Sequence, residues 1–275
     1  MSLRRVIRAG TLALFLCRGH ALAQHLVLFP ASFEATEGAE LALRAETAHE
    51  QSTSPAPWPV EIAWLFVRSG GTQENRGPDD APRPFADQVR LSPTAPGITL
   101  IGLDLPVRTE PAQPERVLDA ARAAGKADVC PDKAILVRWV KSAATLVRAR
   151  AADGGLPADG TGTSKAGLLA EIRPLMDVAR APAGGVLPVR AYLLGDAAPG
   201  AIIVATHLRS GRTQRVTADA KGIADIQITQ PGAWVVRSTM IRAGTDGEVA
   251  MTVGEASLTF DAPEPTPNAA AEPAP

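Results

Sequence analysis

Glycine and proline interrupt this chain so often that long helices have little room to form. Twenty-four of each are spread over 275 residues, and the stretches between them are rich in β-branched and aliphatic side chains. Glycine supplies positive φ, and proline fixes φ and removes a backbone donor. Such punctuation favours short strands joined by tight turns. The C-terminal part reads most clearly: Gly185 to Leu194, Ala201 to Leu208, Gln214 to Thr217, Ile223 to Thr229 and Ala233 to Ile241 are five β-rich runs. Their spacing suits a sandwich. The turns between them have chemical causes in Asp196 to Gly200, Asp219 to Gly222 and Gln230-Pro231-Gly232, where Asp accepts local backbone bonds and Gly frees φ. Ser257 to Phe260 reads as a last strand.

The N-terminal part also reads as strands. His25 to Pro30, Glu40 to Ala45, Glu61 to Val67 and Ile98 to Leu105 are the candidates. Ser69-Gly70-Gly71 ends the third, and residues 72–86 read as a long polar loop. One helix is expected from Pro114, with Glu115 at its positive end, Val117, Leu118, Ala121 and Ala124 on one face, and Gly125 as its C-terminal cap. Residues 135–150 fit both helix and strand. Recurring β-branched residues and Trp139 favour strand.

The first 23 residues read as an export signal: Arg4, Arg5 and Arg8, then the apolar Leu12 to Cys17, then the small-x-small site Ala21-Leu22-Ala23. Its apolar run falls far short of the ~20 residues that span a bilayer. Arg4-Arg5 admits a twin-arginine reading, although its flanks fit that pattern poorly. Lipidation at Cys17 is disfavoured by Leu16 and Arg18. The expected location is therefore periplasmic or secreted, with no transmembrane segment after cleavage. The expected organisation is a signal peptide (1–23), an N-terminal β-rich domain (24–155), a connecting segment (156–182), a C-terminal sandwich (183–260) and a disordered tail (261–275).

Removing the signal with its four arginines leaves 252 residues, 24 Lys+Arg and 29 Asp+Glu, a formal charge of −5. No long basic block survives to neutralise phosphates, so nucleic acid is not an expected partner. Cys130 is then the one cysteine, which excludes an intramolecular disulfide. Its acidic neighbours Asp128 and Asp132 are not surroundings that activate a thiol as a nucleophile.

No nucleophile elbow, phosphate-cradling loop or close histidine pair is present, and the chain is expected not to be an enzyme. The residues with most chemistry are Gln24 and His25, just behind the predicted cut. A free α-amine, a backbone nitrogen and an imidazole in that arrangement chelate Ni(II), Co(II) or Cu(II). Cyclisation of Gln24 to pyroglutamate removes the amine donor. The bland alternative makes His25 a polar residue opening an edge strand. His207, expected to face solvent or an interdomain groove, and His49, at the edge of a polar loop, are the other imidazoles available as ligands.

Several segments in order resemble the exported proteins of the domain of unknown function 4198 family, associated with nickel/cobalt uptake. They are Ala23 to Pro30 with Ser32-Phe33, Gly97 to Asp104, Ala123 to Gly125, Arg138 to Arg148, Thr217 to Gly222, Pro231 to Ser238 and Ala256 to Phe260. The resemblance implies a mainly β protein of two sandwich-like parts with one or two short helices, the C-terminal part transthyretin- or fibronectin-like. It also implies periplasmic capture of nickel or cobalt and delivery to an uptake transporter or outer-membrane receptor. Two departures bear on that function. Leu26, Val27 and Leu28 stand where the family often has an acid and aromatics, and Thr239 precedes Met240 where it often has a histidine. The alternative is a non-catalytic adaptor or structural module of the envelope, binding a protein by strand addition or a carbohydrate.

Overall fold

The computed structural model describes residues 25–48, 53–55, 61–76, 89–126, 128–181, 183–244 and 247–264. The signal segment, Gln24, His49 and the tail beyond Glu264 lie outside the described residues. The N-terminal half begins with β1 (His25–Pro30), β2 (Glu34–Thr36), β3 (Leu41–Ala48), β4 (Thr53–Pro55) and β5 (Trp64–Ser69). It continues with β6 (Thr72–Arg76), β7 (Val89–Leu91), β8 (Gly97–Asp104), β9 (Arg108–Ala112), helix α1 (Pro114–Ala123) and β10 (Ile135–Arg150). The C-terminal half holds β11 (Ala170–Pro174), β12 (Val186–Leu193), β13 (Asp196–Ala197) and β14 (Ile202–His207). The strands β15 (Thr213–Thr217), β16 (Ile223–Gln227), β17 (Gly232–Ala243) and β18 (Met251–Ala262) complete it.

One ten-stranded sheet runs through both halves in the order β15-β14-β17-β18-β10-β8-β5-β6, with β2 and β9 also paired to β10. The halves join where β10 lies parallel to β18, from Val137 beside Met251 to Thr145 beside Thr259. A smaller sheet, β1-β3-β4 with β7, covers one face, and a second, β11-β12-β13 with β16, covers the other. The fold is thus mainly β and sandwich-like, with one α-helix among the described residues.

β10 shows how sequence produces this layering. Its side chains alternate between faces: Val140, Ala144 and Leu146 join the core under the C-terminal sheet. Ala143 and Val147 join the core under the N-terminal sheet, and Val137 and Trp139 pack under α1. A strand buried on both faces carries apolar residues at both parities, which is why its sequence is equally readable as a helix. Where the C-terminal sheet presses on β18 the chain has Gly254. A Cβ there would sit 2.3 Å from Leu193 Cδ1.

Helix α1 matches its sequence signals. Pro114 opens it, Val117, Ala120 and Ala121 are buried, and Gly125 adopts φ +71°. Gly125 N–H donates to Arg122 O (3.0 Å) and Lys126 N–H to Ala121 O (2.7 Å), the paired bonds of a Schellman ending.

Two expectations are corrected. Residues 72–76 are strand β6 rather than loop: Gly70 and Gly71 both have positive φ, which turns the chain tightly back on β5. The sequence of β6 is polar because it is the outer strand of the sheet. Within 156–182, β11 pairs with β12; its buried Glu171 hides the apolar alternation.

Candidate functional site

β1 is tied into the structure on both sides. It pairs antiparallel with β3, and hydroxyls of β18 rise to its carbonyls: Ser257 Oγ donates to Leu26 O and Thr259 Oγ1 to Leu28 O, each at 2.6 Å. This places His25 over the central sheet, where register aligns Lys141, Glu255 and Thr239 side by side on β10, β18 and β17. Arg237 and Ser257 form the next pair. His25, Thr239, Glu255, Arg237 and Ser257 are all buried. This polar row lies between the apolar cluster under α1, which includes Trp139 and Val253, and the small cluster of Val27, Phe29, Ala48 and Val235.

His25 is 7 % exposed. Its Nε2 lies 3.3 Å from Thr239 Oγ1, while its Nδ1 has no hydrogen-bond partner among the described residues. Burial, then the charges of Arg237 and Lys141, push its pKa down to about 3, against a smaller upward pull from the Ala256 backbone. The imidazole is therefore neutral at neutral pH. Lys141 Nζ is 2.8 Å from Glu255 Oε2, an ion pair without hydrogen-bond angles at that oxygen.

His207 is corrected: it is 2 % exposed and lies on the core face of β14 with Ile203 and Ala205. Its Nε2 is 2.9 Å from Pro231 O and its Nδ1 2.8 Å from Ser210 Oγ, with Trp234 5.3 Å away, centre to centre. A carbonyl only accepts, so Nε2 carries the proton and Nδ1 accepts from Ser210. Both nitrogens are engaged. His207 pairs with Trp234, five residues along β17 from Thr239, and on the opposite face. The structure thus keeps His207 and His25 apart. No group of three or more His, Cys, Asp or Glu suited to a metal occurs among the described residues.

A second polar cluster was not legible in the sequence. Asp104, 3 % exposed, ends β8. Its Oδ1 accepts from Ser142 Oγ (2.5 Å) and Leu169 N–H (3.2 Å), and Ser142 Oγ accepts from Ala170 N–H (3.0 Å). Burial raises its pKa to about 6, with Glu171 adding a like charge, against the hydrogen bonds from Ser142 and Leu169. Glu171 accepts from Ala166 N–H and Gly167 N–H. Its own pKa is also raised by burial. Arg68 donates to Ser164 Oγ and Lys165 O, both 2.8 Å. Together these groups fix the segment that enters β11 against the N-terminal half.

These features define a mainly β, sandwich-like module with β1 anchored over a buried polar row. The chain belongs to the DUF4198 family, a domain of unknown function, whose sequence profile matches residues 21–242. No curated protein matches it. Among solved structures it is similar to a two fibronectin type-III domain segment from chicken tenascin, at 12% identity, covering 85% of this chain and 97% of that one, with a TM-score of 0.24. It is also similar to murine CEACAM1b, at 9% identity, covering 87% of this chain and 100% of that one, with a TM-score of 0.20. A tetra-tandem repeat in the extending region of a large adhesion protein matches at 16% identity, covering 87% and 50%, with a TM-score of 0.19.

Proposed function

We propose that this chain is an exported, non-catalytic binding module of the cell envelope that engages a partner protein, with His25 as a structural anchor for β1. The observation that carries this reading is the surroundings of His25. The residue touching its ring is Thr239, at the position where the family resemblance expects a second histidine. The two charges that depress its pKa, Arg237 and Lys141, are both positive. Burial lowers the pKa most, and the added positive charge opposes a divalent ion as it does a proton. A hydroxyl is also a poor substitute for a second imidazole toward a borderline metal. The residues present therefore do not fit a nickel or cobalt centre.

One observation favours metal capture as a second reading. His25 Nδ1 is buried without a hydrogen-bond partner among the described residues, and it stands immediately behind Gln24, whose amine export would release. Calorimetric titration of Ni(II), Co(II) and Cu(II) into exported, processed protein, with its intact mass, decides between the two. The structural reading expects no stoichiometric binding by the wild type and a gain of binding in Thr239→His. Stoichiometric binding that disappears in His25→Ala refutes it, establishes an N-terminal metal site and supports the uptake reading.

A further inference from the structure

The outer strands of the central sheet are defended against pairing with other chains. β6 is short and carries Glu74 and Arg76, paired at 2.8 Å. The Gln214 side chain of β15 both donates to Gln227 O and accepts from Gln227 N–H, closing the seam to β16. Short, charged or covered edges are how sheets avoid adventitious strands.

At one end β17 is covered by no strand among the described residues, and its edge is met by the Lys126 side chain beyond α1. β14 pairs with it only up to Ile202 beside Thr239, whereas its pairing with β18 continues to Ala243 beside Met251. The four residues Met240 to Ala243 therefore extend past their neighbour. The carbonyl of Ile241 is met there by a side chain: Lys126 Nζ donates to it at 3.1 Å. In an antiparallel strand the N–H and C=O of one residue point to the same side. The Ile241 N–H thus faces the same edge, where no strand pairs with it among the described residues. Along this edge runs a cleft of about 240 Å³ walled by Leu193, Ala198, Ala201 and Met240, with Lys126 and Arg242 among its polar residues. Arg242 is neutralised by Asp196 at 2.7 Å.

We propose that the Met240–Ala243 edge of β17 is a strand-addition site for an extended, acidic segment of a partner protein, lying in line with β14. This rests on the adaptor reading and names the chemistry of the partner. An incoming backbone N–H replaces the Lys126 ammonium on Ile241 O, and the Ile241 N–H donates to the new strand. The displaced ammonium stays beside the added strand, where its positive charge favours a carboxylate. Small apolar side chains of the added strand fill the cleft, as in other strand-addition complexes where pockets read alternate residues.

The probe is a synthetic peptide, Thr-Val-Thr-Glu-Ala-Thr-Val-Thr, followed by fluorescence anisotropy and by amide exchange at Ile241. Saturable binding is expected, with slowed Ile241 exchange and at least a tenfold loss when alternate backbone nitrogens of the peptide are methylated. Lys126→Glu should weaken binding by a similar factor, beyond the small fall in melting temperature expected from losing its bond to Ile241 O. Ile241→Pro, which removes an N–H that no ladder uses, should abolish it. Equal binding of the methylated peptide, or no saturable binding at millimolar peptide, overturns strand addition. A photo-crosslinker at position 242, compared with one at Arg44, separates this from failure of the adaptor reading. A discrete adduct formed only from position 44 overturns the edge site and leaves a partner-binding module standing. Stoichiometric metal binding at His25 removes the adaptor reading, whatever the peptide does.

Discussion

Replacing Asp104 with asparagine should make this protein more stable at neutral pH. The carboxyl is buried at the junction of β8, β10 and the segment entering β11, and its pKa is raised from 3.8 to about 6. A shift of that size corresponds to roughly 3 kcal/mol, at about 1.4 kcal/mol per unit. The sign follows from proton counts. Between about pH 4 and 6 the folded chain keeps the proton that the unfolded chain has lost, so stability falls as pH rises through that window. Above it the full cost persists. Asparagine keeps an oxygen to accept from Ser142 and Leu169 and carries no charge. Urea unfolding followed by circular dichroism should show Asp104→Asn ahead by on the order of 2–3 kcal/mol near pH 7.5, with the advantage gone near pH 4. A variant less stable at neutral pH, or an advantage of the same size at both pH values, would refute the reasoning.

His25 should act in the opposite sense. Its folded pKa of about 3 lies below the ordinary 6.5, so the fold loses about 1.4 kcal/mol per unit as pH drops from about 6.5. His25→Gln should flatten that acid limb, as equilibrium unfolding at several pH values will show; an unchanged slope counts against burial of the neutral ring. His207→Ala strips partners from Pro231 O and Ser210 and removes a ring packed against Trp234. A loss of about 3 kcal/mol, read by thermal melting, is expected from the orphaned polar groups and lost packing.

The elements most legible in the sequence were those set by local chemistry. Pro114 and Gly125 bracket α1, and the Asp219 turn is held by its carboxylate accepting from Lys221 N–H and Ile223 N–H, each at 2.8 Å. The five C-terminal runs appear as strands within a residue or two. What was hidden depends on distant pairing. Nothing local in residues 135–150 says that they lie parallel to residues 251–262, and the contact of His25 with Thr239 joins positions 214 apart. His207 was misread for a specific reason: Ile202, Val204, Ile203 and Ala205 are apolar at both parities, so alternation cannot tell which face is the core. Asp104 and Ser142 carried no signal either, because their meaning is a bond between two strands.

The hydroxyls of Ser257 and Thr259 give the chain a temporal order. β1 is fastened by hydroxyls 231 positions further along the chain, and β10, already flanked by β8 and β9, gains its parallel neighbour only when β18 arrives. During vectorial synthesis the N-terminal half therefore remains without that partner until residues 251–262 have emerged. A chain cut before Met251 would lose the strand that unites both sandwiches. Late completion delays commitment to the native form until Met251 to Ala262 are available to pair with both β10 and β17.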